Sequence, residues 1–228
     1  MTYAHQLIDL KATFTSLVEA LEVSDPYTRG HSDRVGTLSV ALGLELGLSD
    51  AELEMLQDAA VLHEIGKIGE AKEVLHKPGK FTPAEFEEMK KHVTYGYNIL
   101  KPLGLKELLD ITLLHHERMD GKGYPSGCTD YPLLVRVLQI ADVWDALTSD
   151  RPYRAAMPPA EARRLMDPSS GAFAFDVQIL QTFLRLTRII YPDVDCQPDE
   201  LEQVLREIEE AGLDRQLDEQ HCQVTCCA

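Results

Sequence analysis

Ionisable residues recur on the apolar faces of four helix-like segments. Leu53, Leu56, Ala60 and His63 fall at i, i+3, i+7 and i+10, so His63 lies on the stripe a helix would bury. His92 follows Met89 by three residues and precedes Gly96 by four. Leu108, Ile111, Thr112 and His115 share one face, and His116 follows directly. Val135, Leu138, Asp142 and Asp145 repeat the first pattern. A single histidine in such a place is most often a core residue satisfied by a hydrogen bond. Four helices aiming ionisable groups inward need another explanation, because unpaired buried charge is very costly. A shared metal centre satisfies them together, since imidazoles and carboxylates suit iron, manganese or zinc. Two such ions bridged by a carboxylate would activate a water and clamp a phosphate for in-line attack. His63-Glu64 and His115-His116 are adjacent, and helix neighbours point about 100° apart. Each pair serves one centre only at a helix end, or flanks two metals; both sit at predicted helix ends.

The elements that must hold these groups read as helical almost throughout. Residues 1–24 predict one or two helical segments, and a helix runs from His31 to about Leu46. Ser49 with Glu52 makes a capping box that opens a helix to about Glu64. Gly66, Gly69, Pro78 and Gly79 mark residues 66–80 as a loop. Thr82, Pro83 and Glu85 form a second capping box for a helix to about Leu100. Further helices are expected from about Leu105 to His116, Leu133 to Thr148, and near Ala160. Another follows Asp176 to about Tyr191, and a charged one spans 199–212. The segment 120–132 is a Gly- and Pro-rich loop. The expected fold is all-α, one helical domain over residues 1–190 with a C-terminal appendage over 191–228.

The bulk properties narrow the partners. With 44% hydrophobic residues among 228, the chain can bury a sizeable core. Its net charge of −16 disfavours binding to nucleic acid polymers. No run approaches the roughly 18 apolar residues of a membrane span. The N-terminal residues lack the pattern of a signal peptide, so a cytoplasmic location is expected, with no membrane partner. Five cysteines, an odd count without an export signal, argue against a disulfide framework. Three of them, Cys222, Cys226 and Cys227, lie in a tail read as reduced thiols.

Three longer motifs sharpen the reading. His63-Glu64-Ile65-Gly66-Lys67-Ile68-Gly69, with Lys77-Pro78-Gly79-Lys80, resembles the first signature of the HD-GYP family. HHERMDGKGYP, residues 115–125, resembles the second, and ADVWDALTSDRPYR, residues 141–154, the third. The similarity extends over roughly residues 15–180. It implies an HD-domain-like helical bundle around a metal centre, hydrolysing cyclic di-GMP or a mixed GMP–AMP ring to linear dinucleotide or mononucleotide. Carried over position by position, it implies His63, Glu64, His92, His115, His116 and Asp142 as ligands of two divalent ions, iron or manganese. Glu64 takes the place of the bridging carboxylate. Glu64, Lys67 and Asp142 are the expected catalytic groups. Lys67, Arg118, Tyr124, Asp145, Arg151 and Arg154 are the expected substrate contacts.

The residues themselves leave alternatives beside several of these roles. Lys67, four residues after His63, would offset phosphate charge, or be a solvated loop lysine. Asp145 would contact substrate, orient a ligand from behind, or make a structural hydrogen bond. Arg118, Lys122, Arg136, Arg151 and Arg154 would form a positive mouth, or stand as separate surface charges. The sequence departs from the family pattern at Glu64, where an aspartate is usual. It also has Tyr27 four residues before His31, where some members carry a glutamate that accompanies a third metal. Two metals are therefore expected, with His31 a weaker candidate ligand or substrate contact. Met119 replaces a frequent aromatic. The competing readings are a cyclic-dinucleotide sensor impaired at Glu64 and a different metal phosphohydrolase. Homodimerisation, or an input domain on a partner, would supply control.

Overall fold

The computed structural model describes residues 3–191 except 26, 27, 29, 78 and 151–153. The expected 199–212 helix and the cysteine tail lie outside the described residues. Among the described residues there are helices and loops and no β-strand. The order is α1 (Tyr3–Ser24), α2 (His31–Glu45), α3 (Asp50–Leu62), a 3-10 turn (Ile65–Gly69) and the short α4 (Lys72–Leu75). Then come α5 (Pro83–Met89), α6 (His92–Leu100), α7 (Lys106–Leu114), α8 (Leu133–Thr148), α9 (Pro159–Met166) and α10 (Val177–Ile190).

Local chemistry sets the helix starts. Glu52 accepts the Ser49 backbone N–H at 2.8 Å at the head of α3. At the head of α5, Thr82 accepts from the Glu85 N–H while Glu85 accepts from Thr82. Asp176 accepts the N–H groups of Gln178 and Ile179 to open α10. Each cap satisfies donors that a helix start leaves open.

α8 is the axis of the fold. Leu134 to Leu147 are buried apart from Arg136. A helix apolar on nearly every side must be enclosed, and α2, α3, α7, α9 and α10 all pack against it. Trp144 meets Phe183 of α10 with ring centroids 5.6 Å apart. α6 lies on the 3-10 turn and on α7.

Three expectations are corrected. The segment 66–80 is not an open loop but carries the 3-10 turn and α4. The helix expected from Thr82 to Leu100 is two helices, broken at Lys90-Lys91. No glycine or proline marks that break; the close approach of α6 to the 3-10 turn accompanies it. Gly66 lies so near α6 that a Cβ there would stand 1.8 Å from the His92 carbonyl oxygen and 2.5 Å from the Gly96 nitrogen. The helix expected from Leu105 to His116 is α7, which ends at Leu114 with His115 as its cap.

Candidate metal centre

His63 and His115 cap the C-termini of α3 and α7, and His92 opens α6 directly after α5. Each turns its Nδ1 back to the carbonyl three residues earlier. The distances are 2.8 Å to Ala60, 2.6 Å to Met89 and 2.9 Å to Thr112. A carbonyl only accepts, so each Nδ1–H donates and each Nε2 presents its lone pair inward. Carbonyls at helix ends lack intrahelical partners, so the same bonds help close the helices.

These lone pairs converge with carboxylates in two buried groups. Glu64, His92, His115 and His116 form one, and His31, His63 and Asp142 the other; within each, the donor atoms lie within 4.8 Å of one another. In the first group Glu64 Oε2 is 3.4 Å from His92 Nε2, and the Nε2 atoms of His92 and His116 are 2.8 Å apart. In the second, Asp142 Oδ1 is 3.3 Å from His31 Nε2 and 4.0 Å from His63 Nε2. The rings of His63 and His115, 5.1 Å between centroids, join the two groups.

The donor set fits metal ions. His63 Nε2, His115 Nε2 and Glu64 Oε2 are buried without a hydrogen-bond partner, although buried polar atoms are almost always partnered. Burial pushes His63 and His92 below the ordinary imidazole pKa, and His115 and His116 well below it. They therefore stay neutral, the form that ligates metal. Burial pushes the Glu64 carboxyl up, but Lys67 and the surrounding histidines outweigh it and hold the group well below its usual range.

All six expected ligands are thus brought together. His31 joins them, more centrally than the sequence reading placed it. The helical-stripe test that found the other histidines also finds this one: His31, Val35, Leu38 and Leu42 are all buried on α2. The expected bridging carboxylate, Glu64, has Oε1 2.8 Å from Lys67 Nζ and turns Oε2 toward His92. Lys67 Nζ also lies 3.8 Å from Oδ2 of the buried Asp25.

The expected substrate contacts divide. Tyr124 is buried, with its ring 4.8 Å from that of His116 and its backbone N–H on the His116 carbonyl at 3.0 Å. Gly123 permits this docking, because a Cβ there would stand 2.4 Å from the Glu117 Cα. Glu117, which sequence reasoning missed, accepts bonds from the Ser126 N–H and hydroxyl and from the Gly127 N–H, at 2.6–3.1 Å. Asp145 faces His31 and Arg34, bonding to both. Arg118 pairs with Asp120. Arg154 donates to the backbone carbonyls of Leu147 and Ala146. Arg136 pairs with Asp130 and Asp176. Arg151 lies outside the described residues, as does Tyr27.

Comparison with known proteins places the chain in a family. A family model described as HD domain matches residues 15–179. The 3'3'-cGAMP-specific phosphodiesterase 3 of Vibrio cholerae is 39% identical over 170 residues, covering 72% of this chain and 37% of that protein. A cyclic di-GMP phosphodiesterase of Thermotoga maritima is 40% identical over 174 residues, covering 74% of this chain and 47% of that protein. The chain therefore spans less than half the length of these relatives. Among solved structures, an HDG"Y"P protein from Bdellovibrio bacteriovorus superposes with a TM-score of 0.56 at 24% identity, covering 69% of this chain and 51% of that one. The HD domain of the L. monocytogenes phosphodiesterase PgpH, in complex with cyclic-di-AMP, gives 0.52 at 18% identity, covering 80% and 100%. These two likenesses concern the fold.

Proposed function

The chain belongs to the HD domain family, in its HD-GYP branch, and from that premise we propose that it is a metal-dependent phosphodiesterase that opens cyclic dinucleotides. Cyclic di-GMP is the foremost substrate, and the mixed GMP–AMP ring the next. The observation that supports this most is the convergence of seven buried donor residues, three of whose five imidazoles are fixed by backbone carbonyls. Glu64, His92, His115 and His116 would hold one divalent ion, and His31, His63 and Asp142 a second, with iron or manganese the fitting metals. Bound there, two such ions supply an activated water and a clamp on the scissile phosphate. In the hydrolysis the water oxygen bonds to phosphorus, one ester P–O bond breaks, and a water proton ends on the leaving oxygen.

The protein's own side chains do the remaining work. Lys67 orients Glu64 and offers positive charge beside the phosphate. Tyr124 walls the centre on the side of His116. Asp142 sits between His31 and His63 and adds its carboxylate to their two imidazoles. The catalytic domain is proposed to span residues 1–190, with 191–228 as an appendage. No helix among the described residues is long and apolar enough to cross a membrane; a cytoplasmic site of action, and control by a second copy or a partner's input domain, belong to the same proposal.

One observation favours a second reading. The Glu64–Lys67 pair leaves a single oxygen of Glu64 toward His92, which suits a module that binds cyclic dinucleotide without cleaving it. The test is anaerobic loading with iron(II) or manganese(II), incubation with each ring, and chromatography of products, with His63→Ala as control. Linear product that needs metal and disappears in the control is expected. Tight binding without product would replace the enzyme by the sensor.

A further inference from the structure

The carboxylate of Asp145 joins α2 to α8 behind the second group of donors. Its Oδ2 accepts the Nδ1–H of His31 at 2.8 Å. Arg34, three residues after His31 on α2, grips the same carboxylate with two donors: Nε to Oδ1, and Nη2 to Oδ2 at 3.0 Å. Ser149 adds a weaker bond to Oδ1 at 3.1 Å. The far nitrogen of the His31 ring then faces Asp142. His31 differs here from His63, His92 and His115, whose rings are fixed by main-chain carbonyls. Its orientation depends on a side chain that can rotate, and that side chain depends on Arg34.

We infer that Arg34 is a positioning residue, which sets the metal affinity of the His31, His63 and Asp142 group by locking Asp145 against His31. The inference rests on the reading of that group as a metal site. A planar guanidinium matches a carboxylate with two parallel bonds and leaves it one orientation. Without it, Asp145 keeps the hydroxyl of Ser149 and the ring it is meant to hold. Loss of such an outer partner typically weakens metal binding about 10- to 100-fold. The Arg34 side chain is half exposed, so its removal opens no hole in the core. The first group has no comparable dependence, because two of its three imidazoles are anchored by main chain. Arg34 therefore acts on one ion and not on the other.

The experiment is anaerobic titration of the metal-free chain with manganese(II), read by bound metal per chain and by electron paramagnetic resonance. Wild type is expected to bind two ions and to give the spectrum of a coupled pair. Arg34→Ala is expected to keep one ion at wild-type affinity and bind the second about 10- to 100-fold more weakly. Its spectrum should be that of an isolated ion, matching His31→Ala. Arg34→Lys keeps the charge but not the fork, so it should melt like wild type and still bind the second ion more weakly. Two ions held at wild-type affinity by both Arg34 variants would overturn this inference and leave the metal reading standing. A wild-type chain that binds no metal at all would overturn both.

Discussion

Glu70 shows what a buried carboxyl does in this molecule when nothing ligates it. It follows the 3-10 turn, and both its oxygens are buried without a hydrogen-bond partner. Burial first, and Glu88 next, push its pKa up to about 7, against the opposing pull of Lys91 and Lys67. An unfolded glutamate titrates at about 4.3. Between those values the unfolded chain is ionised while the folded chain still holds its proton. Stability from this group is therefore full below about pH 4.3 and is lost as pH rises toward 7. Glu70→Gln should melt higher than wild type at pH 8, with the gap closing near pH 4. Thermal melts of both proteins at both pH values decide it, and an unchanged melting temperature at pH 8 would refute the assignment. Glu64 is the opposite case, because Lys67 and the imidazoles keep a fully buried carboxylate charged. Burial alone does not separate the two residues; their neighbours do.

At the scale of elements, the centre depends on how closely α6 approaches the 3-10 turn. A methyl group on Gly66 would collide with main chain on α6, which cannot swing aside as a side chain would. Gly66→Ala should destabilise the fold by about 1–3 kcal/mol and carry His92 away from Glu64, lowering bound metal. Calorimetry and metal analysis on one sample test this; full metal content with an unchanged melting temperature would contradict it. The helix faces that bury His63, His115 and Asp142 were legible in the sequence because apolar spacing of 3.6 residues is a local signal. The capping boxes at Ser49 and Thr82 were legible for the same reason. The break at Lys90-Lys91 was not, since two lysines carry no breaking propensity and the packing of α6 lies outside the local sequence. Arg34 was invisible too: it reads as a surface arginine on α2, and its partner Asp145 lies 111 residues away.

At the scale of the molecule, the charge balance opposes the proposed substrate. The chain carries a net −16. Of the basic groups expected to form a positive mouth, Arg118 is spent on Asp120, Arg136 on Asp130 and Asp176, and Arg154 on main-chain carbonyls. A cyclic dinucleotide with two phosphates then approaches against the field. Raising ionic strength from about 0.02 to about 0.2 M shortens the screening length and should raise kcat/KM with the metals saturated. A fall over that range would mean that local positive charge, not the net charge, governs approach. The histidines at the helix ends carry one more consequence, for descent rather than chemistry. His63 and His115 close the helices that present them, so a lineage that no longer needs the proposed reaction cannot discard these residues without weakening its scaffold. Descendants that have lost activity should keep both histidines, and their presence alone is then a poor guide to which copies in a genome still turn over substrate.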